Sequence, residues 1–91
     1  MKKLKGLSLF ANVGIAEAYL EELGVDILIA NEINEDRARF YQDVYPKTHM
    51  ICGDVTKDEI RDAIIKESIE KHVDFIIATP PCQGMSEAGL R

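Results

Sequence analysis

Four short apolar runs, separated by stretches with helical spacing, restrict this chain to one kind of architecture. None of the runs shows sustained polar alternation, and continuous apolar strands are typical of a parallel sheet that is covered on both faces. Parallel strands need crossover connections, which are right-handed in nearly all proteins. The sequence therefore predicts an α/β fold, the first half of a doubly wound, mostly parallel sheet. The four predicted strands are residues 7–11, 27–30, 49–52 and 75–78.

Three helices are predicted between these strands, because apolar side chains recur there every three or four residues. Gly24 is a plausible stop for the first helix, and Pro46 ends the second. Thr56 and Glu59 have the spacing of a capping box at the start of the third. The apolar sets that mark the helices are Ile15, Tyr19, Leu20 and Leu23; Ala38, Tyr41 and Tyr45; and Ile60, Ile64, Ile65 and Ile69.

Composition excludes several classes of protein. The 91 residues suffice for one small domain, and acidic residues outnumber basic ones 16 to 11. Because phosphate binding needs clustered Lys and Arg, this segment alone is not expected to form the main nucleic-acid-binding surface. Cys52 and Cys82 are too few for a disulfide framework and lack zinc-site spacing, so no metal is expected. The apolar runs are too short for a membrane span or a signal peptide, which favours a cytoplasmic protein.

Chemically distinctive residues follow each predicted strand. Open α/β sheets bind ligands beyond the carboxyl ends of their strands, so we expect Glu32, Asp54 and Cys82 to share one edge. An acid about 20 residues beyond a glycine turn can hold ribose hydroxyls, and a second acid can accept from an adenine amino group. The turn at residues 10–14 lacks the full G-x-G-x-x-G pattern that binds pyrophosphate. A nucleoside without phosphates, such as S-adenosyl-L-methionine, therefore fits better than NAD.

Each of these residues also has a plain structural explanation. Gly14 suits any tight turn between a strand and a helix. Glu32 could simply begin the next helix, with Asn34 as its cap, and Asp54 could be a turn residue. Free cysteines are often buried and inert, and Cys52, inside a strand run, is expected to be so.

The order of these segments resembles the amino-terminal part of the DNA (cytosine-5-)-methyltransferase family over nearly the whole chain. Residues 8–14 resemble its first motif, Asp-Leu-Phe-x-Gly-x-Gly-Gly, residues 31–32 the ribose-binding second, and residues 53–55 the third. Pro81-Cys82-Gln83, with Ser86, resembles the catalytic fourth motif, which is the most specific of the set. The chain departs from the first motif at three positions, where Ser8, Asn12 and Ile15 stand in place of Asp, Gly and Gly.

The resemblance implies a Rossmann-like, S-adenosylmethionine-dependent methyltransferase fold and a role for each motif. Cys82 would attack carbon 6 of a cytosine flipped out of double-stranded DNA, and carbon 5 would then take the methyl group. Pro81 would shape the wall between cofactor and base, while Gln83 and Ser86 would contact the DNA backbone or order the loop. The residues expected to contact the cofactor are Phe10, Asn12, Gly14, Glu32, Ile33, Asp54, Val55 and Pro81.

The resemblance covers only part of a catalytic domain. Residues 1–91 are expected to be its amino-terminal part, without the target-recognition region and without the glutamate that promotes attack. Missing sequence or a second chain would supply these parts, and the isolated chain is expected to be inactive. A tRNA cytosine-5 methyltransferase, which shares Pro-Cys-Gln, and a non-catalytic fragment or accessory subunit are the alternatives. An amino-group methyltransferase is discounted because Cys82 stands where that class has an aromatic ring.

Overall fold

The computed structural model describes residues 3–79, in which strands and helices alternate as predicted. The third and fourth strands coincide with their apolar runs. The first strand ends two residues earlier than its run, because Phe10 has a φ of 57°, a left-handed conformation that a strand does not accommodate. The elements are β1 (Leu4–Leu9), α1 (Ile15–Glu22), β2 (Val25–Glu32), α2 (Glu35–Val44), β3 (His49–Cys52), α3 (Asp58–Glu70) and β4 (Phe75–Ala78).

The four described strands form one parallel sheet in the order β3-β2-β1-β4. The chain moves outward from β1 to β3 and then crosses to the other side of β1. The direction of winding therefore reverses between β1 and β4. Open α/β sheets bind their ligands at such a reversal, beyond the carboxyl ends of the strands.

Apolar side chains fill both faces of the sheet, which confirms the doubly wound α/β prediction. On one face, Tyr41 of α2 is fully buried against Val25 and Ile27 of β2. On the other face, Ile64 of α3 packs with Leu7 and Ile29. Burial of such side chains is the main favourable term for a fold of this size, at roughly 1.5–3 kcal/mol for each large apolar side chain.

A β-bulge lies in β2. Gly6 pairs with Ile27, but the next residue of β1 pairs with Ile29, so one residue of β2 is left over. The bulge shifts the alternation of side chains by one position. Ile27 and Ala30 consequently lie in the same core cluster, and Ile29 lies in the other. Continued alternation places Glu32 on the same face as Ala30, toward α1 and α2.

The predicted helix boundaries are partly confirmed. Asn34 caps α2, since its side-chain oxygen accepts from the Arg37 N–H at 2.9 Å. Gly24 follows α1 with a φ of 88°, as expected of a stop. The predicted capping box is wrong: α3 begins after Lys57 without a side-chain cap, and the Thr56 hydroxyl donates to Asp54 Oδ1 at 2.7 Å instead. The helix begins one residue later than the capping box requires, so Thr56 does not occupy the N-cap position.

Of the four apolar residues that predicted α1, only Leu20 packs against the core, and the other three are exposed. Ile15, Tyr19 and Leu23 are 70%, 67% and 78% exposed, whereas Glu17 on the opposite side is buried. Ile76 of β4 is exposed as well. These apolar side chains have no cover within residues 3–79. In that same part of the chain, no helix has the length and apolar character needed to cross a bilayer.

Candidate functional site

The loop after β1, residues 10–14, has an unusual backbone. Phe10 and Asn12 both have a φ of 57°, and Gly14 has a φ of 85°. Asn and Gly adopt left-handed conformations readily, but Phe does so at a cost of about 1–2 kcal/mol. Such strain persists only where the surroundings hold it. The Ala11 N–H donates to the Asn31 carbonyl at 2.9 Å, and the Gly14 N–H donates to the Ala11 carbonyl at 3.0 Å.

The Glu32 carboxylate links two loops at this edge of the sheet. Glu32 is the last residue of β2 and is 5% exposed. Its Oε1 accepts from the Asn12 N–H at 2.8 Å, and its Oε2 accepts from the Asn34 N–H at 3.0 Å. Because Asn34 caps α2, Glu32 does not begin that helix. Each carboxylate oxygen keeps further acceptor capacity beyond its one backbone donor.

The ends of β2 and β3 are joined by Asn31, a residue whose own role sequence analysis missed. Its buried side-chain amide donates to the carbonyls of Ile51 and Gly53, at 2.8 and 3.0 Å. The Gly53 N–H in turn donates to the Glu32 carbonyl at 3.0 Å. These bonds bring the turn that carries Asp54 beside Glu32. A polar residue that ends an apolar run is the signal, since a buried amide must find partners.

Asp54 begins the turn after β3. Its Oδ1 accepts from both the N–H and the hydroxyl of Thr56, at 2.9 and 2.7 Å. These hydrogen bonds lower the pKa of the Asp54 carboxyl, so it is ionised at neutral pH. The turn-residue explanation is therefore correct, but it uses only Oδ1. Oδ2 has no hydrogen-bond partner within residues 3–79 and is available as an acceptor.

Two apolar side chains complete the predicted cofactor contacts. Ile33, directly after Glu32, is 61% exposed and offers an apolar surface beside the carboxylate. Val55 is half-buried and packs against the core beneath α3, where it anchors the Asp54 turn.

Cys52 is exposed, so the prediction that it is buried is wrong. It ends the edge strand β3, where cover from a further strand is lacking in the described part of the sheet. Desolvation, followed by the carboxylates of Glu35 and Glu32, raises the pKa of its thiol. The unreactive protonated form is thereby favoured.

The described residues end at Thr79, beside the β1 loop. Thr79 follows β4, and its hydroxyl donates to the Phe10 carbonyl at 2.9 Å. Its N–H donates to the Leu9 carbonyl at 3.3 Å. Thr79 is a further residue that sequence analysis missed. The predicted site residues Pro81, Cys82, Gln83 and Ser86 lie outside the described residues.

The β1 loop has one more contact, from the far end of α2. Tyr45 is the C-cap of that helix, and its hydroxyl donates to the Gly14 carbonyl at 2.6 Å. Sequence analysis used Tyr45 only as a mark of helical spacing. The described site therefore combines a strained loop, a buried glutamate and a free aspartate oxygen at one edge of the sheet.

Comparison with known proteins identifies the family. The model of the C-5 cytosine-specific DNA methylase family matches residues 4–91. The chain belongs to this family. The resemblance inferred from the motifs is thereby confirmed, and S-adenosyl-L-methionine is the cofactor that the family uses.

Individual relatives agree with the family assignment. The chain is 46% identical over 88 residues to the Type II methyltransferase M1.HgaI of Avibacterium volantium, covering 97% of this chain and 25% of that protein. It is 37% identical over 86 residues to the Type II methyltransferase M.NgoPII of Neisseria gonorrhoeae, covering 94% and 24%. The chain thus spans about a quarter of the length of these relatives.

A solved structure supports the fold. The crystal structure of a mutant of Spodoptera frugiperda DNMT2 matches with a TM-score of 0.66 at 23% identity, over 88% of this chain and 23% of that one. The fold prediction, a Rossmann-like methyltransferase fold with a parallel sheet, is confirmed.

The residues present fit an adenosine-containing cofactor. Glu32 and Asp54 keep acceptor capacity for hydroxyl and amino donors, and Ile33 offers an apolar contact for a base. These groups lie at the carboxyl ends of β2 and β3, which are adjacent in the sheet. The loop at residues 10–14 carries one glycine, without the pattern that accommodates a pyrophosphate.

Proposed function

We propose that the protein containing these residues transfers a methyl group from S-adenosyl-L-methionine to carbon 5 of a cytosine in double-stranded DNA. Family membership supports the reaction class. The observation that carries the proposal is the buried Glu32 carboxylate at the end of β2, which joins the start of α2 to the β1 loop, and that loop borders the winding reversal of the sheet. A preorganised acceptor at that position suits the ribose of a nucleoside.

The proposed cofactor contacts divide into two groups. Glu32 accepts from the ribose hydroxyls, Asp54 Oδ2 accepts from the adenine amino group, and Ile33 lies against the adenine ring. The loop after β1 faces the methionine end. The contacts proposed for that end and for the walls of the pocket are Phe10, Asn12, Gly14, Val55 and Pro81.

The proposed chemistry centres on Cys82. Its thiolate adds to carbon 6 of a flipped-out cytosine, which makes carbon 5 electron-rich. The sulfonium of the cofactor supplies an electrophilic methyl group, and carbon 5 accepts it. A base then removes the proton from carbon 5, and the Cys82 thiolate leaves as the double bond re-forms. Gln83 and Ser86 contact the DNA backbone or order the loop around it.

We further propose that residues 1–91 are the amino-terminal part of the catalytic domain. The quarter-length match to the relatives supports this assignment. The net charge of −5 is unfavourable for binding DNA, so we propose that further sequence or a second chain supplies the main DNA-binding surface. The exposed Ile76 on β4 is consistent with a neighbouring strand from the same source. We also propose that the protein is cytoplasmic.

The test is methyl transfer by the full-length protein. Double-stranded DNA and tRNA are incubated with cofactor that carries a radiolabelled methyl group. We expect incorporation into DNA that falls to background in Cys82→Ser and persists in the control Cys52→Ser. Incorporation by Cys82→Ser would refute the assigned nucleophile. Labelling of tRNA in place of DNA would refute the proposed substrate.

A further inference from the structure

We propose that Tyr45 is a positioning residue, whose hydroxyl holds the β1 loop in the conformation that receives the methionine end of the cofactor. This inference rests on the proposed function. Tyr45 lies at the end of α2 that is remote from Glu32, and its proposed role requires no contact with the cofactor. Its effect is exerted through Gly14, the N-cap of α1.

The geometry around Gly14 carries the inference. The Tyr45 hydroxyl donates to the Gly14 carbonyl at 2.6 Å. The ring of Tyr45 lies 4.9 Å from that of Tyr41, centroid to centroid, with 44° between the planes. Tyr41 is fully buried and thereby holds its neighbour in place. Both rings abut Gly14 closely enough that a Cβ at this position would lie 2.9 Å from Tyr41 Cδ2.

The loop needs such restraints because it is strained. Phe10 and Asn12 are both left-handed, and relaxed conformations compete with this arrangement. The loop is held by the bond from its Asn12 N–H to Glu32, and Tyr45 and Thr79 donate to its carbonyls. Losing one restraint lowers the fraction of molecules with a competent loop. The apparent dissociation constant rises by the inverse of that fraction.

The hydroxyl remains a donor under ordinary conditions. Desolvation, followed by the nearby carboxylates of Glu17 and Glu21, raises the pKa of Tyr45. The phenol is therefore protonated at neutral pH and can donate to the Gly14 carbonyl. Replacement by Phe removes this bond and keeps the ring, which separates positioning from packing.

The two ends of the cofactor supply a diagnostic comparison. In the proposed function, Glu32, Ile33 and Asp54 hold the adenosine end, and the β1 loop receives the methionine end. A change that loosens only the loop should weaken S-adenosylhomocysteine, which carries the amino-acid end. It should spare 5′-methylthioadenosine, which lacks that end.

The experiment is calorimetric titration of the full-length protein with both ligands. For Tyr45→Phe we expect S-adenosylhomocysteine to bind about 3- to 10-fold more weakly, the range that one net hydrogen bond supplies. Binding of 5′-methylthioadenosine should change less than about 2-fold. The control Tyr19→Phe, on the exposed side of α1, should match wild type with both ligands. Ligand-free Tyr45→Phe should melt within about 4 °C of wild type.

Three results would overturn the inference alone, provided that the wild type binds S-adenosylhomocysteine. They are unchanged binding of this ligand by Tyr45→Phe, equal weakening of both ligands, and loss of cooperative melting in the variant. Either of the last two results would mean that the Tyr45 hydroxyl stabilises the whole fold and does not act on the β1 loop specifically. A wild-type protein that binds neither ligand would refute the proposed function, and this inference with it.

Discussion

Replacing Gly14 by Ala is expected to destabilise the protein for two separable reasons. Its φ of 85° is left-handed, which costs a residue with a Cβ about 1–2 kcal/mol. The new methyl group would also meet the rings of Tyr45 and Tyr41, and overpacking of this kind costs about 1–3 kcal/mol. The expected loss in the free energy of unfolding is therefore about 2–5 kcal/mol.

Gly24 supplies a matched control within the same chain. Its φ of 88° is nearly the same, but a Cβ there would meet no atom within 4 Å. Gly24→Ala should therefore show the conformational cost alone, about 1–2 kcal/mol. Urea denaturation of the full-length variants, followed by circular dichroism, measures both. Equal losses for the two variants would show that the tyrosine rings do not close around Gly14.

Two further predictions concern the packing of the fold. Desolvation alone would raise the pKa of Glu67, but hydrogen bonds and charge attraction from Lys71 and His49, at 3.0 and 2.7 Å, together lower it. The carboxylate therefore stabilises the fold above its unfolded-state pKa and loses this effect as pH falls through its folded-state pKa. Urea denaturation should show that Glu67→Gln lowers the free energy of unfolding by up to about 1 kcal/mol at pH 6. The difference between variant and wild type should shrink below about pH 4.3, and a difference that does not change with pH would contradict this. The buried hydroxyl of Tyr41 has no hydrogen-bond partner of good geometry in the described residues. Tyr41→Phe should raise the thermal midpoint, by an amount equivalent to about 1 kcal/mol, and a fall would mean that the hydroxyl has a partner.

The sequence predicts the architecture well because the relevant signals are local. The runs at His49–Cys52 and Phe75–Ala78 become strands without any shift of their ends. Continuous apolar character is typical of strands in a covered parallel sheet. It does not specify how far each side chain is covered, since Cys52 and Ile76 are exposed in the described residues. Periodicity along α1 likewise predicts a helix, but it does not specify which side meets the sheet. Three of the four predicted apolar residues are exposed, Leu20 packs against the core, and Glu17 is buried.

The site is predictable where a residue acts through its own place in the chain, and unpredictable where it acts through a distant partner. The positions of Glu32 and Asp54 after apolar runs predict both residues. The bond from Tyr45 to Gly14 joins residues far apart in sequence, and no local pattern encodes it. The bulge in β2 arises from the pairing of two strands and is equally hidden, although it determines which face Glu32 occupies.

Calorimetry of the full-length protein tests most directly whether Glu32 lies in a nucleoside pocket. We predict heat of binding with S-adenosylhomocysteine and none with NAD. Glu32→Gln should weaken that binding about 10- to 100-fold, because hydrogen bonds to a charged acceptor are worth about 1.5–3 kcal/mol. Glu35→Gln, an exposed neighbour on α2, should leave it unchanged. Heat with NAD and none with S-adenosylhomocysteine would contradict the account.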